Sequence, residues 1–299
     1  SSSVHVDSID YLIGYNYRLH SLDCMNLKSK SVTQIVLPGD GPDAIVRLSG
    51  IYAQSLDSVW ISDESERAFL IDSVGTIKRM IDLKKYLEDQ EQLLINTNYA
   101  MFTSHLFYNA SRHSLMFLVK HTPSNTFIVK EAFIDEVGKM ATYQLSSSKV
   151  VPDMSKGYAY INFPNVNFVG ENIVYNYPVE SSIYMLDIRT NERKYILADS
   201  HYTSNIIEKC TTSGDYATLE KHWLENSHFY DIMYLPKYKI YARLHADKVD
   251  FDEKKGMKKL INERDLYLML FDENMEKIGE TKLSNCRYSP FTSWNATYG

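Results

Sequence analysis

The sequence predicts an all-β fold, a six-bladed β-propeller whose last blade is either incomplete or closed by an N-terminal strand. Three observations predict it: a block of about fifty residues recurs, several strands are apolar without alternation, and helical patterns are scarce. A four-stranded blade takes about 40–50 residues, so 299 residues allow about six blades. No linker or low-complexity stretch interrupts the chain, so residues 1–299 are expected to form a single domain.

The recurring block consists of two or three apolar residues, an Asp, a short polar turn and a second apolar run. An Asp suits this position because its side chain can accept hydrogen bonds from backbone amides two residues further on. Each block therefore predicts a β-hairpin. The Asp residues of the five blocks are Asp23, Asp72, Asp135, Asp187 and Asp272.

Successive Asp residues of these blocks are 49, 63, 52 and 85 positions apart, and the two long intervals predict insertions. The first insertion predicts a short helix over residues 83–94, where apolar residues fall on one helical face. The second predicts a helix over residues 215–226 with Asp215 as its N-cap. It also contains residues 247–264, whose mixed charges predict a solvated extension of a hairpin.

Continuous apolar runs distinguish a propeller from other β architectures. Leu115–Val119 and Leu266–Phe271 contain no polar residue apart from one tyrosine hydroxyl. A strand with one wet face alternates, whereas a strand covered on both faces does not. The inner strands of a propeller blade are covered on both faces by neighbouring blades, so these runs favour a propeller over a two-sheet sandwich.

The two ends of the chain indicate how the last blade is completed. Residues 102–105 read Phe-Thr-Ser-His shortly before the third block, and residues 291–294 repeat the phrase as Phe-Thr-Ser-Trp. By analogy the second phrase opens a sixth block whose Asp would fall beyond Gly299. The last blade is then incomplete, or a strand over residues 4–13 completes it.

Composition excludes several classes of function. The net charge is −6 and the pI is near 5.9, so no basic surface for nucleic acid or an anionic membrane is expected. No apolar run reaches the roughly 18 residues that a transmembrane helix needs. Three cysteines allow at most one disulfide, and their spacing pairs none of them.

No catalytic residue, metal ligand or cofactor site is predicted. His105, His113 and His121 are evenly spaced, but His113 falls at the opposite end of the hairpin from the other two. The acidic residues 247–253 are followed by lysines where a calcium loop needs oxygen ligands before its glycine. The Gly39–Gly41 segment lacks the Lys-Ser/Thr pair and the helix of a phosphate-binding loop.

One pattern suggests a binding site. Each Ser-aromatic phrase, at residues 104–105, 227–228 and 293–294, falls at the start of a blade's predicted first strand. Equivalent positions in a propeller lie at equivalent radius and height, so these residues would surround one mouth of the central channel. The turn at residues 40–43 precedes the second block's first strand and is expected at the same mouth. The candidate ligand-binding residues are His105, His228, Trp294, Asp40 and Asp43; ordinary packing between blades is the competing interpretation.

Several segments together resemble a known family. Residues 39–45, 48–61, 70–75 and 228–243 resemble the Bacteroidales family of six-bladed propeller lipoproteins, which is TolB-like and catalogued as a domain of unknown function. The resemblance covers roughly residues 11–298. It implies a propeller, export across the inner membrane and often a lipid anchor on an N-terminal Cys. No Cys stands at the start of this sequence, so an anchor would lie upstream, and the family brings no catalytic residues.

The function expected from these observations is that of a non-enzymatic, extracytoplasmic propeller, in the periplasm or at the cell surface. It would bind a small molecule, a glycan or a protein on one face of the ring. Two alternatives remain open. One is a metal-dependent hydrolase or lactonase with a site in the central channel, and the other is a structural scaffold in an envelope assembly.

Overall fold

The computed structural model describes residues 2–95, 105–149, 163–210 and 215–283. These residues form five antiparallel sheets, and in each of them four consecutive strands are neighbours. Each sheet is one blade of an all-β propeller fold. The described residues divide into two compact units, one of residues 2–95 and 105–144, the other of residues 145–149, 163–210 and 215–283.

The first unit holds three blades. Blade 1 consists of β1 (Ser2–Val6), β2 (Ile9–Asn16), β3 (Ser21–Asn26) and β4 (Val32–Val36). Blade 2 consists of β5 (Leu48–Ser55), β6 (Ser58–Asp63), β7 (Arg67–Ile71) and β8 (Ile77–Asp82). Blade 3 consists of β9 (Glu91–Leu93), β10 (Phe107–Asn109), β11 (Ser114–His121), β12 (Thr126–Phe133) and β13 (Met140–Gln144), with β9 and β10 both paired to β11.

The second unit holds two blades and two helices. Blade 4 consists of β14 (Asn165–Val169), β15 (Asn172–Asn176), β16 (Ile183–Asp187) and β17 (Arg193–Ile196). Blade 5 consists of β18 (His228–Leu235), β19 (Ile240–Ala246), β20 (Leu266–Phe271) and β21 (Lys277–Lys282). The helices are α1 (Tyr216–Leu224), which precedes blade 5, and α2 (Met257–Glu263), which lies between β19 and β20.

The expectation of six blades is wrong, because the described residues form five. The first strands of the four-stranded meanders begin at residues 2, 48, 107, 165 and 228, so later blades start about sixty residues apart. Insertions lengthen these blades beyond the usual 40–50 residues. The residues proposed to close a sixth blade instead form β1 and β2, the first hairpin of blade 1. The second Phe-Thr-Ser phrase lies outside the described residues.

The Asp turn is confirmed in three of the five blocks. Asp72 Oδ1 accepts hydrogen bonds from two amides of the following turn, and Asp187 and Asp272 do the same. Asp23 differs, because it lies within β3 and Asn26 takes the turn position. Asp135 also differs, because its carboxylate bonds Arg79.

The insertions follow the sequence in part. Asp215 caps α1 as predicted, since its carboxylate accepts the amides of residues 217 and 218. The helix expected over residues 83–94 is only one 3-10 turn, Leu83–Tyr86, because residues 91–93 pair with β11 instead. The expectation that the segment 247–264 is solvated is wrong for part of it. The segment contains α2, whose Leu260 and Ile261 are buried.

The apolar strands form the cores of both units. Leu115–Val119 is buried at every position, as its unbroken apolar run predicts. One cluster in the first unit joins blades 1 and 2, and another joins blades 2 and 3. In the second unit a cluster joins blades 4 and 5. Each large apolar side chain that is fully buried between blades in this way stabilises the folded state by about 1.5–3 kcal/mol.

Candidate functional site

Asp40 and Asp43 are exposed on the loop between β4 and β5. The loop is held in place at its base, where Ile45 N donates to Pro38 O at 2.8 Å. Arg67 Nη2 donates to the carbonyl of residue 44 at 2.7 Å. Both carboxylates are therefore presented to solvent from a fixed loop.

The predicted aromatic residues have different surroundings. His105 lies two residues before β10 and is half-buried, and desolvation lowers its pKa to about 4. His228 is the first residue of β18, as predicted, and it is buried. Its ring lies 4.5 Å from the ring of Tyr230, and desolvation holds its pKa well below the ordinary value. Trp294 lies outside the described residues.

The predicted residues are divided between the two units. His105, Asp40 and Asp43 belong to the first unit and His228 to the second. Among the described residues, no side-chain hydrogen bond or ring contact links His105 to either carboxylate. A shared binding site for them therefore stays a prediction.

A polar cluster that sequence reasoning missed lies in the second unit, on one face of blade 5. Alternation along β19 places Tyr241, Arg243 and His245 on this face, and all three are buried. The segment 198–207, which follows β17 and is called the strap below, bonds this face through both side chains and backbone.

An aromatic stack crosses the face from the core to the surface. Phe229, His245 and Tyr267 are directly opposed on β18, β19 and β20, and their ring centroids are 5.5 and 5.1 Å apart. Tyr202 of the strap stacks on Tyr267 at 4.9 Å with an interplanar angle of 19°. Tyr202 is 52% exposed, so the stack ends at the protein surface.

Glu280 of β21 fastens the strap to this face. Its Oε1 accepts the Ser200 hydroxyl at 2.6 Å, and its Oε2 accepts the His201 amide at 3.0 Å. Lys277 Nζ, at 3.2 Å from Oε2, also donates to the carbonyl of Asp199 at 2.6 Å. Burial alone would raise the pKa of Glu280, but these donors outweigh it and the pKa is lowered.

The tautomer of His245 follows from its partners. Its Nε2 lies 3.0 Å from Glu280 Oε1, and an ionised carboxylate only accepts, so Nε2 carries the proton. Nδ1 then accepts the hydroxyl of Thr203 at 3.2 Å. Burial, followed by the charge of Arg243, lowers the pKa of His245 to about 4 despite the nearby Glu280.

The order hydroxyl, imidazole, carboxylate matches that of a nucleophile with its general base and orienting acid. The acid–base property of His245 argues against that role. A general base works best with a pKa near the operating pH, and a base with a pKa of about 4 takes up a proton poorly at neutral pH. The chain of bonds through Thr203 is better explained as an anchor for the strap.

Arg243 is the cation at the centre of the cluster. Its guanidinium donates to the carbonyls of Ser181 (2.5 Å) and Ala198 (3.0 Å) and lies over the Phe229 ring at 4.9 Å. Burial lowers its pKa to about 9, and the nearby carboxylates, Glu280 foremost, oppose the shift. Arg243 therefore remains charged at neutral pH and fixes the start of the strap.

The strap is also fixed from within. Asn205 Oδ1 accepts the Ser200 amide at 2.7 Å, and the Asn205 carbonyl accepts the Ser181 amide at 2.9 Å. The hydroxyl of Ser200 accepts the amides of residues 202 and 203. The strap therefore holds one conformation while the side chains of His201 and Tyr202 face solvent.

Two further properties concern membranes and metals. No helix in the described part of the chain is both long and apolar enough to cross a membrane. Across residues 2–95, 105–149, 163–210 and 215–283, no group of three His, Cys, Asp or Glu side chains is placed to hold a metal ion.

Comparison with known proteins identifies the family. A solved member of the DUF4221 family from Bacteroides vulgatus is 14% identical, with a TM-score of 0.74, over 94% of this chain and 80% of that one. A "putative exported protein" from Bacteroides fragilis is 13% identical, with a TM-score of 0.53, over 94% of this chain and 70% of that one. At these identities the likeness shows the fold alone. No curated protein matches the chain.

The family model described as "Domain of unknown function (DUF4221)" matches residues 2–282. The resemblance to Bacteroidales propellers is thus confirmed at the level of the family, whereas its lipoprotein and TolB-like features stay predictions. The chain belongs to the DUF4221 family.

Proposed function

We propose that this chain is a non-enzymatic binding protein that holds a ligand or partner at the exposed end of its aromatic stack. The observation that carries the proposal is Tyr202, a half-exposed ring on a strap immobilised by buried polar groups. Tyrosine is enriched at the energetic centres of binding sites, because its ring offers a large contact area with few rotatable bonds.

The rigidity of the strap supports binding. A loop that is ordered before a ligand arrives loses less conformational entropy on binding. Here Glu280 holds the strap from β21 and Asn205 holds it from within. A flat, half-exposed ring presented in this way suits a ligand with a flat apolar face, such as a sugar ring, a proline or an aromatic side chain.

We further propose that the protein acts outside the cytoplasm, in the periplasm or at the cell surface, with a lipid anchor attached upstream of this sequence. Support comes from the DUF4221 membership and from the exported description of the Bacteroides fragilis protein. Fractionation of the native host tests this location. Recovery of the protein only from the cytoplasm would contradict it.

A thermal-shift screen of the purified chain against glycans, peptides and small molecules tests the binding proposal. Binding to the native state alone raises its stability by mass action. We expect at least one compound to raise the Tm, and Tyr202→Ala to weaken its binding by about 1 kcal/mol or more.

Tyr238→Ala is the matched control, since Tyr238 is 55% exposed in the same unit and belongs to the turn between β18 and β19 instead of the strap. It should leave the affinity unchanged. Equal losses of affinity in the Tyr202→Ala and Tyr238→Ala variants would contradict the proposal. So would a screen in which no glycan, peptide or small molecule raises the Tm.

A further inference from the structure

The outer strand of blade 1 differs from most of the other outer strands. β4 has the sequence Val-Thr-Gln-Ile-Val and carries no charge, whereas β8, β17 and β21 each contain at least two Lys or Arg residues. Natural proteins place charges, lysine above all, on exposed sheet edges to prevent pairing with other chains. The β4 edge lacks this protection.

The backbone of β4 has hydrogen-bonding groups directed outward. At one end of the β3–β4 pair, Asn26 N donates to Ser31 O at 2.9 Å. At the other end, Leu37 N donates to His20 O at 3.0 Å. Because bonded and non-bonded pairs alternate in an antiparallel ladder, these two bonds fix which residues face outward. The residues whose amide and carbonyl groups point away from β3 are Val32, Gln34 and Val36.

Among the described residues, the neighbouring blade covers one end of this edge. Gly75, in the turn between β7 and β8, lies so close to the Val36 carbonyl that a Cβ there would clash with the oxygen. The groups of Val32 and Gln34 remain, and in the described part of blade 1 no strand pairs with β4 on this side. The open part of the edge is therefore its first half.

The charges beside the two ends of β4 have opposite signs. Lys28 and Lys30 are exposed in the turn before β4, and Asp40 and Asp43 are exposed in the loop after it. None of the four has an ion-pair partner among the described residues. If two copies of β4 pair antiparallel, the basic turn of each copy lies beside the acidic loop of the other.

We propose that the β4 edge is an interface at which a second copy of this chain adds its own β4 antiparallel, about a two-fold axis at Thr33. In this register Val32 of each copy faces Gln34 of the other copy. Each of these two residue pairs exchanges two backbone hydrogen bonds, which makes four in all. The Val36 carbonyl, which the neighbouring blade covers, takes no part in the pairing. The contact is isologous, as two-fold symmetry requires. A strand pair this short buries less surface than a standard interface, so the dimer is weak and depends on protein concentration.

Sedimentation equilibrium over a series of protein concentrations tests the proposal. The wild-type chain should show a monomer–dimer equilibrium. Gln34→Pro removes an outward amide that no described strand of the same chain uses, and proline is tolerated on sheet edges. By symmetry it deletes two of the four intermolecular bonds, so this variant should be monomeric.

Met80→Pro in β8 is the matched control. Leu83 N donates to Glu66 O, so Met80 also directs its amide away from the neighbouring strand, and it is exposed. This variant should dimerise as the wild type does. A wild-type chain that stays monomeric at its highest soluble concentration would overturn the proposal and leave the edge to a strand of another protein. If Gln34→Pro and Met80→Pro weakened dimerisation equally, that result would also overturn the proposal.

A charge exchange tests the orientation independently of the backbone. Reversing Asp40 and Asp43 to Lys should weaken dimerisation about tenfold, because each basic turn then meets a basic loop. Reversing Lys28 and Lys30 to Asp in the same chain should restore the dimer. Failure of this restoration would contradict the antiparallel arrangement.

Discussion

Trp223 Nε1 donates a hydrogen bond to His228 Nδ1 at 3.2 Å inside the second unit. An indole N–H can only donate, so Nδ1 accepts and the neutral imidazole carries its proton on Nε2. His228 was a candidate ligand residue from the sequence, and this contact gives it a packing role between α1 and β18.

We expect His228→Ala to lower the free energy of unfolding by about 2–4 kcal/mol, because it opens a cavity and leaves the Trp223 indole without its acceptor. Urea denaturation measures this change. Lys254→Ala, at an exposed position of the same unit, serves as its control and should change the free energy by less than about 0.5 kcal/mol. A His228→Ala variant as stable as the control would contradict the packing role.

The segment 247–264 provides a second prediction, because α2 buries Leu260. Leu260→Ala should cost about 2–5 kcal/mol, whereas Lys254→Ala, at an exposed position of the same segment, should cost almost nothing. Replacing the whole segment with an Asn-Gly turn should lower the Tm by many degrees. An unchanged Tm would mean that α2 contributes no core.

Gly75 supports a third prediction, with Gly41 as its control. Both glycines have positive φ, +86° and +87°, but only Gly75 has atoms within reach of an added Cβ. Gly41→Ala should cost about 1 kcal/mol from backbone strain alone. Gly75→Ala adds the clash with the Val36 carbonyl and should cost about 2–3 kcal/mol. Chemical denaturation measures both losses in the free energy of unfolding. Equal losses in the two variants would show that the turn between β7 and β8 moves freely away from β4.

Three histidines whose pKa is lowered predict a pH dependence of stability. Desolvation lowers the pKa of His105 and His245 to about 4, from the ordinary 6.5, and it holds the pKa of His228 well below 6.5. Between these pH values the unfolded chain binds protons that the folded chain does not. The contribution of these histidines to stability should therefore be constant above about pH 6.5 and fall with decreasing pH, by up to about 1.4 kcal/mol per pH unit for each histidine.

Urea denaturation from about pH 7 down to about pH 4.5 measures this slope. His245→Gln cannot titrate, so it should reduce the slope. A wild-type free energy of unfolding that does not change over this range would contradict the lowered pKa values of these histidines.

The sequence predicted local chemistry better than it predicted long-range arrangement. The Asp72 turn and the Asp215 cap are local, since each depends on a carboxylate and amides two to four residues away. The blade count failed because it extrapolated a repeated phrase and an average blade length over insertions. Which residues insert between blades is decided by tertiary contacts that no local pattern records.

The candidate site around the strap was missed for a related reason. In β19 the residues Ile240, Ala242 and Leu244 alternate with Arg243 and His245, which is the pattern of a strand with one wet face. In the structure both faces are covered, and the polar residues bond the strap instead of water. Sequence alone does not separate these cases, because the partners of Arg243 are backbone carbonyls more than 40 residues earlier.

The attachment of the strap to β21 through Glu280 has a consequence for local unfolding. Ser200 and His201 follow the last strand of blade 4, yet they bond the outermost strand of blade 5. An outermost strand is ordinarily the first part of a sheet to fray. Here β21 cannot open without releasing the strap. The amide protons of β21 and of the strap should therefore exchange with solvent at one rate and with one dependence on denaturant, as those of a single cooperative unit do.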